Sequence, residues 1–365
     1  MLQICQFQMS RDTICKDASE MVGNTPMVYL NKVTEGLKAK IAVKCEYMNP
    51  ACSVKDRISR QMILAAEEAG ILVPGKSVLI EGTSGNTGIG FAMIGAARGY
   101  KTIIVMGEPA SIERRIVMKA YGADVVLTDK SLGFKGIEDR AAELTKIIPN
   151  AVQLNQFTNP ENPQVHYLTT GPEIWKQTAG KVDICVFGVG TGGTLTGVGR
   201  FLKEKKPEVE MFAVEPFESS VLNCEKPGPH DIQGIGTGTI PPVLCRDLFN
   251  EAIRVKSADA LDMAKRLAAE EGLMVGISSG ANVVAAIELA KRPENEGKLI
   301  VTSLASFGER YLSTKLYHDI KEESEAMTKS SLEENVETFK ANKHISAFYC
   351  CELNRVIIRA DIIFL

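Results

Sequence analysis

The stretch Cys185–Arg200, CVFGVGTGGTLTGVGR, decides how this chain is to be read. An apolar run ends in closely spaced glycines, and a helix-like segment follows. That pattern predicts a strand, a tight turn and a helix whose first N–H groups are free to bind an anion. Gly188, Gly190 and Gly193 fit the G-x-G-x-x-G dinucleotide fingerprint. Glu215 closes the next apolar run, about where a ribose-binding carboxylate is expected. Thr191 and Thr194 argue differently. With the N–H groups of Gly190, Gly192 and Gly193 they form a donor-rich cup suited to a terminal phosphate dianion, whereas a pyrophosphate leans chiefly on backbone contacts. A nucleotide P-loop is excluded, because no G-K-[ST] follows.

Outward from this turn, short β-rich runs alternate with helical patterns. The runs are Ile41–Cys45, Ser77–Glu81, Thr102–Met106, Asp124–Leu127, Ile184–Gly188, Met211–Val214 and Leu299–Thr302. Helical patterns cover Arg57–Ala69, Ile112–Tyr121, Gly136–Lys146, Leu195–Lys203, Ala258–Glu271 and Gly280–Lys291. Such alternation predicts an α/β fold of parallel sheets covered by helices. A second Gly-rich strand-to-helix turn at 82–90 implies a second α/β unit, with a ligand cleft between two lobes.

Composition narrows the function classes. The 365 residues carry a formal net charge of −3, which gives no reason to expect nucleic acid or an acidic membrane surface. No apolar run approaches the roughly 20 residues that span a bilayer. Residues 1–10 lack a basic n-region and a long apolar core, so no secretory signal is expected, and Met9 is an alternative start. Nine cysteines without a C-x-x-C pair suggest free thiols in a reducing, cytoplasmic setting. His166, His230, His318 and His344 are isolated and read as structural or solvated, so no metal site is expected.

Three further stretches carry chemistry. In NPACSVKDR (Asn49–Arg57), Lys55 falls at the start of a helix. A lysine is ordinarily a solvated charge, but the positive end of a helix dipole disfavours the ammonium form and favours imine chemistry. In EGTSGNTGIG (Glu81–Gly90), Thr83, Ser84, Asn86 and Thr87 could clamp a carboxylate or merely cap a βα turn. In GISSGAN (Gly276–Asn282), Ser278 or Ser279 is either an N-cap or a hydroxyl facing an aromatic nitrogen.

Together these stretches resemble the fold-type II pyridoxal-phosphate enzymes, in the cysteine synthase and cystathionine β-synthase group. The likeness runs from VGNTPMVYL (Val22–Leu30) to SFGERYLST (Ser306–Thr314), roughly four-fifths of the chain. It rests on the order and spacing of SVKDR, TSGNTG, GTGGTLTG, QGIG and SSGA. The resemblance implies two open twisted, mostly parallel sheets with flanking helices, like tryptophan synthase β. Residues 1–48 and 158–325 would form the large cofactor-binding domain, 49–157 a small mobile substrate-binding domain, and 326–365 a poorly ordered tail.

By the same resemblance Lys55 matches the lysine that holds pyridoxal 5'-phosphate covalently, and Asn86 the residue at its ring oxygen. Gly190, Thr191, Gly192, Gly193 and Thr194 match the phosphate cup, and Ser278 the pyridine-nitrogen partner. Thr83, Ser84, Thr87 and Gln156 (in NQFTNPENP) match the loop for the substrate carboxylate. The implied reaction is β-replacement through an aminoacrylate, forming L-cysteine and acetate from O-acetyl-L-serine and hydrogen sulfide. Thr87, Thr191 and Thr196 suit the cysteine-forming side over β-cyanoalanine synthesis from cysteine and cyanide, or serine and homocysteine chemistry. A homodimer is implied, as is a non-enzymatic alternative: a sensor that accepts a partner's C-terminal peptide in the site. The segments flanking the resemblance are too short for the haem-binding and regulatory modules of animal cystathionine synthases. The sequence departs from the family pattern at Cys52 and Gly82, at Ala305, and at Ala110 in MGEPASIERR, where methionine is usual.

Overall fold

The alternation of apolar runs and helical patterns produces two sheets rather than one. The computed structural model describes residues 14–341 apart from Ser84 and Pro109. Ten strands occur among the described residues: β1 (Met27–Tyr29), β2 (Lys40–Lys44), β3 (Val78–Gly82), β4 (Lys101–Gly107), β5 (Asp124–Thr128), β6 (Ala151–Gln153), β7 (Ile184–Gly188), β8 (Glu210–Pro216), β9 (Glu251–Val255) and β10 (Leu299–Ser303). Six form one sheet in the order β1-β2-β10-β7-β8-β9, parallel except for β1 on β2. The other four form a parallel sheet in the order β5-β4-β3-β6.

Both faces of each sheet are covered, which is why the strands read as near-continuous apolar runs. In β7, Ile184 and Val186 pack toward Ala264, Leu267 and Ala281. Cys185 and Phe187 pack the other way, toward Leu195, Val198 and Leu202. In β3, Leu79 joins a core with Ile63, Ile89 and Met118, while Ile80 meets Ile137 and Ala141.

All seven expected strands are present, within two residues at each end. The strands β1, β6 and β9 were not expected. β1 and β6 have three residues each, and β9 carries Glu251 and Arg254 on its exposed positions. A helix–π–helix run was also not foreseen: Glu161–Val165, one π turn at His166–Thr170, and Gly171–Gln177. Among the described residues no helix is long and apolar enough to cross a membrane.

Residues 319–365 form a separate unit. Their described part holds the end of the His318–Ala326 helix and the Leu332–Ala341 helix. The expected tail 326–365 lies outside the described residues from 342 onward, and so does His344.

Candidate active site

The carboxyl ends of β3 and β7 both open into glycine-rich turns, and a cavity of about 380 Å³ is lined from both. Of the site residues expected from the sequence, Lys55, Thr83, Asn86, Thr87, Gln156, Gly190, Thr191 and Ser278 line it. Gly192, Gly193 and Thr194 form the first turn behind the Gly190–Thr191 wall and do not line it. Ser84 lies outside the described residues.

Lys55 is the first residue of the Lys55–Glu68 helix. Its amine has no hydrogen-bond or ion-pair partner among the described residues. Burial pushes its pKa down to about 8, and the Glu46 carboxylate opposes this. The reason that carboxylate does not win lies two residues along. Arg57 Nε and Nη2 donate to Glu46 at 2.7 and 2.8 Å, and Arg57 Nη1 and Nη2 donate to Glu173 at 2.8 Å each. Lys44 Nζ pairs with the same Glu173 at 2.8 Å. Two cations and two carboxylates cancel inside the core, so little net negative charge is left to hold a proton on Lys55. The carboxyls of Glu46 and Glu173 are held below their usual range despite burial, chiefly by Arg57.

The turn after β7 is shaped by close approach. Gly192 has φ +82°, a left-handed conformation that glycine adopts without strain, and it caps the Gly193–Lys205 helix. A Cβ on Gly190 would lie 2.5 Å from the Gly234 carbonyl oxygen, and one on Gly193 would lie 1.9 Å from Asn162 Oδ1. Asn162 Nδ2 holds Thr191 Oγ1 at 2.9 Å, and Thr194 Oγ1 meets His166 Nε2 at 3.2 Å. His166 is buried, and that burial, with Arg57 nearby, pulls its pKa down to about 3, so the imidazole is neutral at pH 7.

On the opposite wall Arg310 Nη1 donates to Asn86 Oδ1 at 2.8 Å, which leaves the Asn86 amide N–H groups to the cavity. Thr87 Oγ1 donates to Gln156 Oε1 at 2.7 Å, so the Gln156 amide likewise keeps its donors. Buried Glu81 accepts the N–H groups of Asn155 and Gln156 at 3.1 Å each and fixes that turn.

The two serines separate cleanly. Ser279 Oγ accepts the Ala305 N–H at 2.9 Å, while Ser278 Oγ has no partner among the described residues and lines the cavity. Neither is an N-cap, because Gly276 caps that helix.

Glu215 belongs to a turn and is no ribose ligand: it is buried and accepts the N–H groups of Leu222 and Asn223 at 2.8 and 3.0 Å. Thr196, unlike Thr87 and Thr191, does not line the cavity. Its hydroxyl donates to Val243 O and accepts from Cys245 N, away from the cavity lining. No cluster of three metal-binding side chains occurs among the described residues. Arg310, Asn162 and His166 were missed, although SFGERY and NQFTNPENP contain the first two. For Arg310 and Asn162 the signal was a polar residue inside a stretch already tied to the site; His166, read as structural or solvated, lies in neither stretch.

Residues 18–306 match the family model described as pyridoxal-phosphate dependent enzyme. Cysteine synthase 3 of Caenorhabditis elegans is 56% identical over 326 residues, 89% of this chain and 97% of that one. A cysteine synthase of Staphylococcus aureus is 49% identical over 300 residues, 82% of this chain and 96% of its own. The crystal structure of cysteine synthase from Entamoeba histolytica superposes with a TM-score of 0.80 at 42% identity, covering 88% of this chain and 94% of that one. That of O-ureido-L-serine synthase gives 0.81 at 39% identity, covering 89% and 100%.

Proposed function

This chain belongs to the pyridoxal-phosphate dependent enzymes and, among them, to the cysteine synthases; on that premise we propose that it forms L-cysteine and acetate from O-acetyl-L-serine and hydrogen sulfide. The observation that carries the reading is a lysine amine without an ion-pair partner among the described residues, on the same cavity as the 190–191 turn, Asn86 and the Ser278 hydroxyl.

The residues fit pyridoxal phosphate. The glycine-walled turn at a helix N-terminus has no room for a Cβ and offers N–H groups to a phosphate. The Ser278 hydroxyl suits a pyridine nitrogen, and the free amide N–H groups of Asn86 suit the ring oxygen. When bound, pyridoxal phosphate supplies a covalently attached electron sink for the charge that develops at Cα.

The chain's own residues do the rest. Thr83, Thr87 and the Gln156 amide hold the substrate carboxylate. Lys55, with a pKa near ambient pH, takes the proton from Cα and later returns it. Arg310 holds Asn86 in orientation. A hydroxyl rather than a carboxylate at Ser278 leaves the pyridine nitrogen without a charged partner, which favours loss of the β-substituent over side reactions. Residues 49–157 are proposed to close over the substrate as a mobile lobe, and the protein to work as a cytoplasmic homodimer. Support for a reducing compartment comes from six described cysteines that are all free. A partner's C-terminal carboxylate would compete for the same carboxylate loop.

The test offers the purified holoprotein O-acetyl-L-serine with sulfide, and separately L-cysteine with cyanide. Cysteine formation should exceed cyanoalanine formation in kcat/KM. A tenfold preference for cyanide would overturn the assignment and leave the cofactor reading intact.

A further inference from the structure

Asn162 is the second residue of the short Glu161–Val165 helix and is buried. Its side chain bonds outward rather than within that helix. Nδ2 donates to Gln156 O at 2.7 Å and to Thr191 Oγ1 at 2.9 Å, so both amide hydrogens are used. A carbonyl oxygen only accepts, so the nitrogen of the amide must face Gln156, and that fixes the sense of the amide. The consequence on the other side is unfavourable. Oδ1 is turned against Gly193, where a Cβ would lie 1.9 Å away, and it is buried without a hydrogen-bond partner. An unpaired buried amide oxygen is costly, and an apolar side chain would fill the space without that cost. The two donated bonds are what offset it.

Those bonds join the two walls of the catalytic cavity, which Gln156 and Thr191 both line. Gln156 is gripped at three points. Its N–H donates to Glu81 at 3.1 Å, its side-chain Oε1 accepts from Thr87 at 2.7 Å, and its backbone O accepts from Asn162. Glu81 lies in β3, beside β6, and Thr87 lies in the helix that follows β3. Of the three grips, Asn162 alone reaches across to the glycine-rich turn after β7. Thr191 Oγ1 accepts from Asn162, so its own hydrogen is left for an acceptor such as a phosphate oxygen. A hydroxyl whose hydrogen is engaged is itself a stronger acceptor. An anion at Thr191 therefore tightens the bond that orients the Asn162 amide, and the same amide presents its other hydrogen to Gln156.

We propose that Asn162 is a positioning residue that couples the phosphate cup to the substrate-carboxylate loop, so that a filled cup holds Gln156 in the shape that takes a carboxylate. The inference rests on the proposed roles of Thr191 toward phosphate and of Thr87 and Gln156 toward the carboxylate, and adds that the two do not act independently. Such coupling is reciprocal, so a bound carboxylate also tightens the hold on the phosphate.

The experiment measures how strongly the holoprotein distinguishes L-alanine from L-alaninamide. Both bring an amine, and neither has a β-substituent to lose; L-alanine alone has the carboxylate. Each dissociation constant is read from the cofactor absorbance with pyridoxal phosphate kept saturating, and the ratio of the two reports the carboxylate loop. Wild-type protein should favour L-alanine. Thr191→Val, on the phosphate wall, should loosen pyridoxal phosphate in equilibrium dialysis and also lower that ratio about fivefold, an ordinary strength for coupling between sites. Asn162→Ala should lower the ratio by a similar factor. Adding Thr191→Val to Asn162→Ala should change the ratio by less than about twofold, the non-additivity of groups that act through one contact. Because each variant is compared with itself, a general loss of affinity does not mimic the effect. A Thr191→Val protein that loosens pyridoxal phosphate and keeps the wild-type ratio would overturn the inference, and this result decides even if Asn162→Ala does not fold. A double variant whose loss is the product of the two single losses would overturn it too. Wild-type protein that binds the two ligands equally would overturn the carboxylate-loop reading, and Thr191→Val protein that holds pyridoxal phosphate as tightly as wild type would overturn the phosphate-cup reading; either takes the inference with it.

Discussion

Lys55 shows how far a single residue can be read from its neighbours. Its position at a helix start was legible in SVKDR, because Pro50 breaks the chain just before it. Its protonation was not, because the residues that decide it are Glu46, Arg57, Lys44 and Glu173, spread over 130 positions. The depressed pKa makes a stability prediction. Between about 8 in the folded chain and the ordinary lysine value of 10.5, the unfolded chain binds a proton that the folded chain lacks. Stability therefore rises with pH across that window, and the full cost of burying the amine is present below it. Lys55→Met should stabilise the cofactor-free protein at pH 7, and the advantage should fade by pH 10.5. Urea titrations of both proteins at pH 7, 9 and 10.5 check this, and a pH-independent difference would mean that the amine is not desolvated.

At the scale of elements, the first turn of the Lys55–Glu68 helix is tied to the β2 end and to the Gly171–Gln177 helix by one buried ion network. Thr25 also takes part, its hydroxyl donating to Glu46 at 2.8 Å. Removing one member leaves buried charge unpaired. Glu173→Ala should therefore cost about 3–5 kcal/mol, far more than loss of an exposed pair such as Lys135–Asp139. Chemical denaturation of the two variants side by side measures the contrast. The elements themselves were legible where the apolar pattern is long. They were not where tertiary packing decides: β6 is a three-residue edge strand held on β3, and the π turn at His166–Thr170 places His166 against Thr194. Ser278 and Ser279 make the same point, since adjacent hydroxyls in one turn are told apart only by the Ala305 N–H that occupies one of them.

For the whole molecule, the α/β class and the two sheets followed from alternation, and the chemistry from the order of five short stretches. The NAD reading of G-x-G-x-x-G yields to the order of those stretches, and the geometry at Glu215 agrees. Glu215 is spent on the turn of residues 222 and 223, so no acidic group remains there for a ribose. What the fold assembles instead is an amine without a partner among the described residues, on a cavity that Asn86, Gln156 and Ser278 also line. The central claim is that this amine moves the Cα proton in a reaction of two halves. Mixing the holoprotein with O-acetyl-L-serine and no sulfide tests it most directly. The account predicts a burst of one acetate per active site, cysteine only after sulfide is added, and neither from Lys55→Ala. A Lys55→Ala protein that still released the burst, or wild-type protein that released acetate only with sulfide present, would contradict it.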